Sequence, residues 1–413
     1  MKVSQRPFES GIVVILGFGI FLVMILRFSS FDFESGDYHI YLSPWYDFIV
    51  SNGRFSALGF DFSNYSPPYL YLLAMATYLP LPKLYAIKLI SVLFDLLLAL
   101  FVLLIVRLKY KNKVVQMSSF FAALVEPTVF VNSAVWGQAD VIYTSMLVPS
   151  IYFAIRRRPN LSLFSFSLAF SFKLQAVFLL PLFVVLLLKR RVPTYSFLVI
   201  PATYATSVLP AWLAGRPLIE LLMTYPAQAG LFSKLTLNAP NLYQWLPEDP
   251  ERFERPGLTL ATLLVGLLCL ASWRSATPLD GNVIVKLSLV SALLLPFTLP
   301  HMHERYFFAA DVASIIYAYY SPKRFFVPLI VSTSSLLSYA PFLFREKPVD
   351  LQYLAVLIGI ALIVTVADLL KSLYPGGRGG APAQVLQGRG KRLLTARAGL
   401  RDEAGTPHGA STL

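Results

Sequence analysis

Residues 84–106 read LYAIKLISVLFDLLLALFVLLIV, and this stretch decides the class of fold. A helix that crosses the hydrocarbon core of a bilayer needs ~20 predominantly apolar residues, and the run supplies them without a break. The pattern returns at residues 11–28, 114–131, 141–155, 161–172, 175–188, 194–214, 258–273, 282–299, 306–320, 325–342 and 351–370, which makes twelve runs. The whole chain of 413 residues is 56% hydrophobic and only 14% charged, whereas soluble domains carry roughly 25% charged residues. Coiled coil, disordered chain and soluble enzyme are therefore excluded. The expected fold class is an all-α polytopic membrane protein of about 12 transmembrane helices (11–13), with a long first extracytoplasmic loop carrying interfacial helices.

Two runs are short. Residues 161–172 and 175–188 read as a pair of short or broken helices around Phe172-Lys173-Leu174-Gln175. Residues 67–82 are apolar but bounded by prolines, which suits an interfacial or re-entrant helix better than a full span. The first run follows the basic start Met1-Lys2…Arg6 with no small-x-small cleavage site after it, so it reads as an uncleaved span with a cytoplasmic N-terminus.

Charge orients the layout. Most of the 35 Lys+Arg fall in segments assigned to the cytoplasm, such as Arg156–Arg158, Lys189–Arg191 and the tail. The other face holds most acids, among them Asp32, Glu34, Asp37, Asp47, Asp140 and Glu304. That split follows the positive-inside rule. It accounts for the net charge of +13 without a nucleic-acid partner. The single Cys269 excludes an internal disulfide and a cysteine metal site, and four histidines are few for a zinc cluster. Residues 375–413, rich in Gly, Ala and Arg, read as a disordered basic cytoplasmic tail behind one membrane domain, 1–374.

Polar residues are costly in such a chain and mark function. Four clusters fall on the acidic face. The first runs Asp32-Phe33-Glu34-Ser35-Gly36-Asp37-Tyr38 and on through Tyr41, Trp45 and Tyr46 to Tyr65-Ser66-Pro67-Pro68. The others are Trp136-Gly137-Gln138-Ala139-Asp140, Phe172-Lys173-Leu174-Gln175 and His301-Met302-His303-Glu304-Arg305. Carboxylates can take a proton from an attacking hydroxyl, cations can stabilise a departing phosphate, and aromatic rings offer flat surfaces to sugars. Within spans, Asp95 and Glu126 read as buried hydrogen-bond partners.

These motifs, in this order, resemble the GT-C superfamily of integral-membrane glycosyltransferases, over roughly residues 5–370. The nearest likeness is to bacterial GPI-mannosyltransferase-related proteins and to the glucosyltransferases of N-glycan assembly. Gly36-Asp37-Tyr38 is similar to their first-loop element, Tyr65-Ser66-Pro67-Pro68 to a Tyr-Pro-Pro element with one serine inserted, and the WGQAD, FKxQ and HMHER stretches to three more.

The resemblance implies a GT-C fold and transfer of a hexose, mannose or glucose, from a polyprenyl-phosphate donor. The acceptor would be a lipid-linked or envelope glycan on the extracytoplasmic face, with inversion. Asp37 matches the family's general base. Lys173, His303 and Arg305 match positions that, by their charge more than by the family, would hold the donor phosphate, and Tyr38, Trp45, Gln138, Asp140 and Asn241 could bind the sugar or acceptor. No cofactor is implied, although Asp32 and Glu34 could share the base role or hold a divalent metal. A bacterial plasma membrane fits the form of the motifs. The loop 216–257 matches no family element, and a lipid-linked saccharide carrier or a membrane scaffold remains the rival class.

Overall fold

The computed structural model describes residues 6–228 and 233–375. Among them, six helices are long and apolar enough to cross a membrane: Lys83–Lys109, Thr194–Leu213, Pro250–Arg274, Gly281–Thr298, Pro322–Leu343 and Leu351–Leu373. The chain is a helical membrane protein. At 1.5 Å per residue, the 27 residues of Lys83–Lys109 extend about 40 Å, more than a hydrocarbon core of about 30 Å. Leu263, Leu267, Leu329 and Ile363 turn outward and are exposed, as a surface solvated by acyl chains requires. Gly281–Thr298 is the opposite case. It is buried on nearly every side by Pro250–Arg274, Phe308–Tyr320 and Leu351–Leu373.

The remaining apolar runs are shorter or bent. Residues 114–131 divide at Val125-Glu126, where Pro127 opens a new turn, and the two pieces meet at 47°. Residues 306–320 become a turn, Glu304–Phe307, and a 13-residue helix, Phe308–Tyr320, that is buried almost throughout. Its apolarity serves protein packing and not lipid contact. The break expected near Lys173 is present. The helix Pro159–Phe172 ends, Lys173 adopts an extended backbone (φ −155°, ψ 135°), and Leu174–Leu179 and Leu180–Leu188 follow. Pro67–Ala76 forms a ten-residue helix behind an extended Ser66, since the residue before a proline avoids the helical region. All of the expected tail except Pro375 lies outside the described residues.

Two buried charges tie the first helix and its loop to the bundle. Arg27 donates to the Asp95 carboxylate (2.9 Å) and to the Leu124 carbonyl (2.8 Å), and Ser133 completes the Asp95 cluster (2.6 Å). Glu126 is likewise a buried hydrogen-bond partner, accepting from Ser332 and Thr128. Lys88, 1% exposed, sends its ammonium to the carbonyls of Phe31 (2.8 Å), Phe33 (2.6 Å) and Ser30 (3.4 Å). A loop that presents its carbonyls to one cation cannot drift away from the helix that carries it. Beyond this anchor the loop coils through Tyr38–Leu42, Ser43–Ser51 and Arg54–Gly59.

Among the described residues, Lys88 is the only donor that these three carbonyls share, and Lys88→Met removes it. The Phe31 bond is buried and the other two are part-buried, and a buried acceptor left unpaired costs about 1–3 kcal/mol. The variant is expected to unfold several degrees earlier in a thermal scan in detergent, and an unchanged midpoint would refute the anchoring role.

Candidate functional site

The first loop brings Asp37 to the wall of a cavity of about 690 Å³. Its Oδ2 accepts from the Trp136 indole (3.0 Å) and from the Gln138 amide. Both donors come from one turn, which reverses direction at Gly137 (φ 78°). A side chain there would have to adopt the left-handed backbone region that glycine enters freely. The turn is closed by the Gln138 amide N–H on the Asn132 carbonyl (2.8 Å). Trp136 is fixed in turn by Ser35, whose hydroxyl donates to its carbonyl (3.1 Å), and by a stacked Phe342 ring (5.1 Å). Tyr65 donates to the Gln138 Oε1 (3.3 Å). Among the described residues, no hydrogen bond reaches the other oxygen of Asp37, Oδ1.

Two cations line the same cavity as Asp37. Lys173 sits at the helix break, with its ammonium 2.5 Å from Asp140 Oδ1. Arg305 lies 3.8 Å from Asp140 Oδ2 and 3.1 Å from Glu304, with its guanidinium over the Trp136 ring. Burial opposes its charge, but Glu304, Asp37 and Asp140 more than offset that and raise its pKa. The Arg305 turn is held by a two-stranded parallel pairing, Thr236–Leu237 with Met302–His303. His301 enters it with φ 61°, a left-handed conformation rare for a side chain that size. Bonds from its N–H to the Leu235 carbonyl (2.7 Å) and between its ring and the Lys234 carbonyl (2.7 Å) hold it there.

The placement of the expected site residues is uneven. Asp37, Trp45, Gln138, Lys173, His303 and Arg305 all line the cavity. Asp140 does not: it is fully buried behind the wall, as counter-ion to Lys173 and Arg305 and acceptor of the Asn132 amide (3.0 Å). Asn241 is also fully buried, capping the turn at Tyr243 (3.2 Å) and donating to the Pro296 carbonyl (3.5 Å). Tyr38 packs into the core, and Tyr41, one helical turn on, takes its place at the cavity. Asp32 and Glu34 face different partners, Tyr85 (2.7 Å) and His39 (3.1 Å), and neither reaches the cavity.

His303 corrects the charge inventory. Burial first, then Arg305 and Lys173, drive its pKa far below the usual histidine range. Burial thus favours its neutral imidazole, and the positive charge on the cavity wall comes from Lys173 and Arg305, with Lys234 exposed at the rim. Glu304, to which the sequence assigned no role of its own, is on the cavity wall, and burial lifts its pKa to about 7.

No protein-family model matches the chain, and no curated protein matches it. The site is therefore read from its own geometry.

Glu304 releases its proton less readily in the folded chain, near 7, than at its ordinary value of 4.5. Stability that is complete below pH 4.5 is thus lost as pH rises through 7, by about 3 kcal/mol on the usual conversion of pKa shift to energy. Denaturation of Glu304→Gln between pH 4.5 and 8 should lose that component of the slope. An identical slope in both proteins would overturn it.

Proposed function

We propose that this chain is a GT-C-type glycosyltransferase that moves a hexose, mannose or glucose, from a polyprenyl-phosphate donor to a lipid-linked or envelope glycan. The observation that carries the reading is one carboxylate, held through a single oxygen, that lines the same cavity as two largely buried cations. Asp37 takes the proton of an acceptor hydroxyl through Oδ1 while the hydroxyl oxygen attacks the anomeric carbon. The bond from that carbon to the phosphate oxygen breaks on the opposite side, which inverts the configuration. The bonding electrons leave with polyprenyl phosphate.

Lys173 and Arg305 stabilise the charge that gathers on the leaving phosphate. Asp140 keeps both cations in place from behind, while the neutral His303 contributes a hydrogen bond and no charge. Gln138 and Trp136 hold Asp37 and leave its second oxygen to the substrate. The reading needs no cofactor.

In this reading the six long helices are joined by the short and broken ones to make about twelve membrane passages or half-passages. The site faces the extracytoplasmic side of a bacterial plasma membrane, and both termini are cytoplasmic. The acid-rich loops near the site and the basic loops at the opposite helix ends support that orientation.

Purified protein in liposomes, given radiolabelled polyprenyl-phosphate mannose or glucose and a crude glycolipid extract, should transfer label to the extract. Asp37→Asn should lower the rate by about 100-fold or more, the usual span of a lost general base. Label that only changes leaflet, equally in wild type and variant, would instead identify a carrier.

A further inference from the structure

A second cavity, about 610 Å³, opens beside the first and shares four of its lining residues: Tyr41, Trp45, Asn64 and Gln228. Its size is typical of small-molecule sites, which run about 300–1,000 Å³. The far wall comes from a part of the chain in which the sequence offered no motif. There Arg216, 5% exposed, ion-pairs with Asp61 of the first loop and lies 3.8 Å from Glu220. Both carboxylates keep about half or more of their side chain exposed, so they have oxygens to offer.

The two cavities are mechanically linked. The Trp45 ring packs against Tyr41 (5.6 Å between centroids) on one side and Tyr65 (5.0 Å) on the other. Tyr65 bonds to Gln138, and Gln138 to Asp37. The Gln228 amide closes onto the Asn64 carbonyl (2.5 Å), which joins the two rims.

We propose that the second cavity seats the acceptor as an uncharged saccharide chain, an inference that rests on the transferase reading above. Tyr41, 38% exposed and backed by the buried Trp45 ring, receives the apolar face of a sugar ring. Asp61 and Glu220 accept hydrogen bonds from sugar hydroxyls, and the amides of Asn64 and Gln228 both donate and accept. The terminal hydroxyl crosses the Tyr41–Trp45 sill into the cavity of Asp37. Charge decides the class of sugar. Asp61 and Glu220 outnumber Arg216 and hold its guanidinium, so the cavity carries one excess negative charge and repels uronate or phosphorylated sugars.

The full chain in lipid nanodiscs would be titrated with maltotriose, mannotriose and trigalacturonate, with binding followed by saturation-transfer NMR. At least one neutral trisaccharide should bind at least tenfold tighter than trigalacturonate. Met223→Trp, which fills the cavity from a half-exposed position on its wall, should weaken the neutral sugar at least tenfold without altering the unfolding midpoint. The pair Asp61→Asn and Glu220→Gln, which reverses the excess charge, should raise trigalacturonate affinity at least tenfold.

Trigalacturonate binding as tight as the neutral sugars, failure of both neutral sugars to bind, or indifference to Met223→Trp overturns the proposal. Transfer from the labelled donor is read separately. Donor-dependent transfer without neutral-sugar binding sinks this inference alone. Sugar binding that responds to these variants, without any transfer, keeps a saccharide site and sinks the transferase.

Discussion

The buried carboxylate of Asp140 is the constraint on which the rest of the site depends. It is fully shielded from solvent and answered from three separate stretches: Asn132 and Lys173 donate hydrogen bonds to it, and Arg305 pairs with it by charge at 3.8 Å. Burying an isolated charge costs several kcal/mol, recovered only when the geometry and the remaining hydrogen bonds are good. Here one carboxylate holds two like charges near each other, against their mutual repulsion. Without it, the break at Lys173 and the turn at Arg305 would each leave a cation in a poorly solvated place. With it, both side chains line a single cavity and retain the capacity to meet an anion. Glu304 completes the balance. Near neutral pH it can take up a proton, so the carboxylates need not outnumber the two cations.

The broken helices have the same cause. Backbone that leaves the helical hydrogen-bond ladder inside a membrane is tolerated only where protein or water meets the freed groups. At Lys173 the chain is extended between two short helices, yet its N–H still bonds to Ala169 and its carbonyl to Ala176. Around it stand the part-buried ring of Tyr65 and the buried ring of Tyr143 rather than lipid. The short helix Phe308–Tyr320, packed against Gly281–Thr298 and Phe326–Leu343, gives the Arg305 turn a rigid base. Irregular segments therefore gather at the site because only there is the chain sheltered enough to be irregular.

That origin explains what the sequence made legible. Long apolar runs report lipid or core burial directly, so the helical membrane class was readable from residues 84–106 alone. Motifs with charge inside apolar surroundings, such as those around Lys173 and Arg305, were readable because charge there needs a reason. Runs could not be sorted into spanning and buried helices, since Phe308–Tyr320 is as apolar facing protein as another would be facing lipid. Asn241 and Tyr38 were misplaced for a different reason. Their direction is set by a turn and a coil whose geometry no periodic pattern encodes. Arg216 and Lys88 escaped notice because their partners, Asp61 and the carbonyls of residues 30–33, lie far away in sequence. For Lys88 the signal existed: an ammonium inside the opening turns of a strongly apolar helix requires acceptors nearby.

The same long-range pairings bear on how Asp37 is held. A carboxylate on a free loop would rotate, and its two oxygens would be equivalent. Here Trp136 and Gln138 both bind Oδ2, and each is itself fixed, Trp136 by Ser35 and Phe342 and Gln138 by Tyr65. Ser35 lies two residues before Asp37, so the first loop and the WGQAD turn clamp each other at two points. One oxygen is thereby assigned to the protein and the other to whatever enters the cavity. The first loop needs Lys88 and the second turn needs Asp140, so the orientation of this single oxygen rests on two buried charges remote from it in sequence.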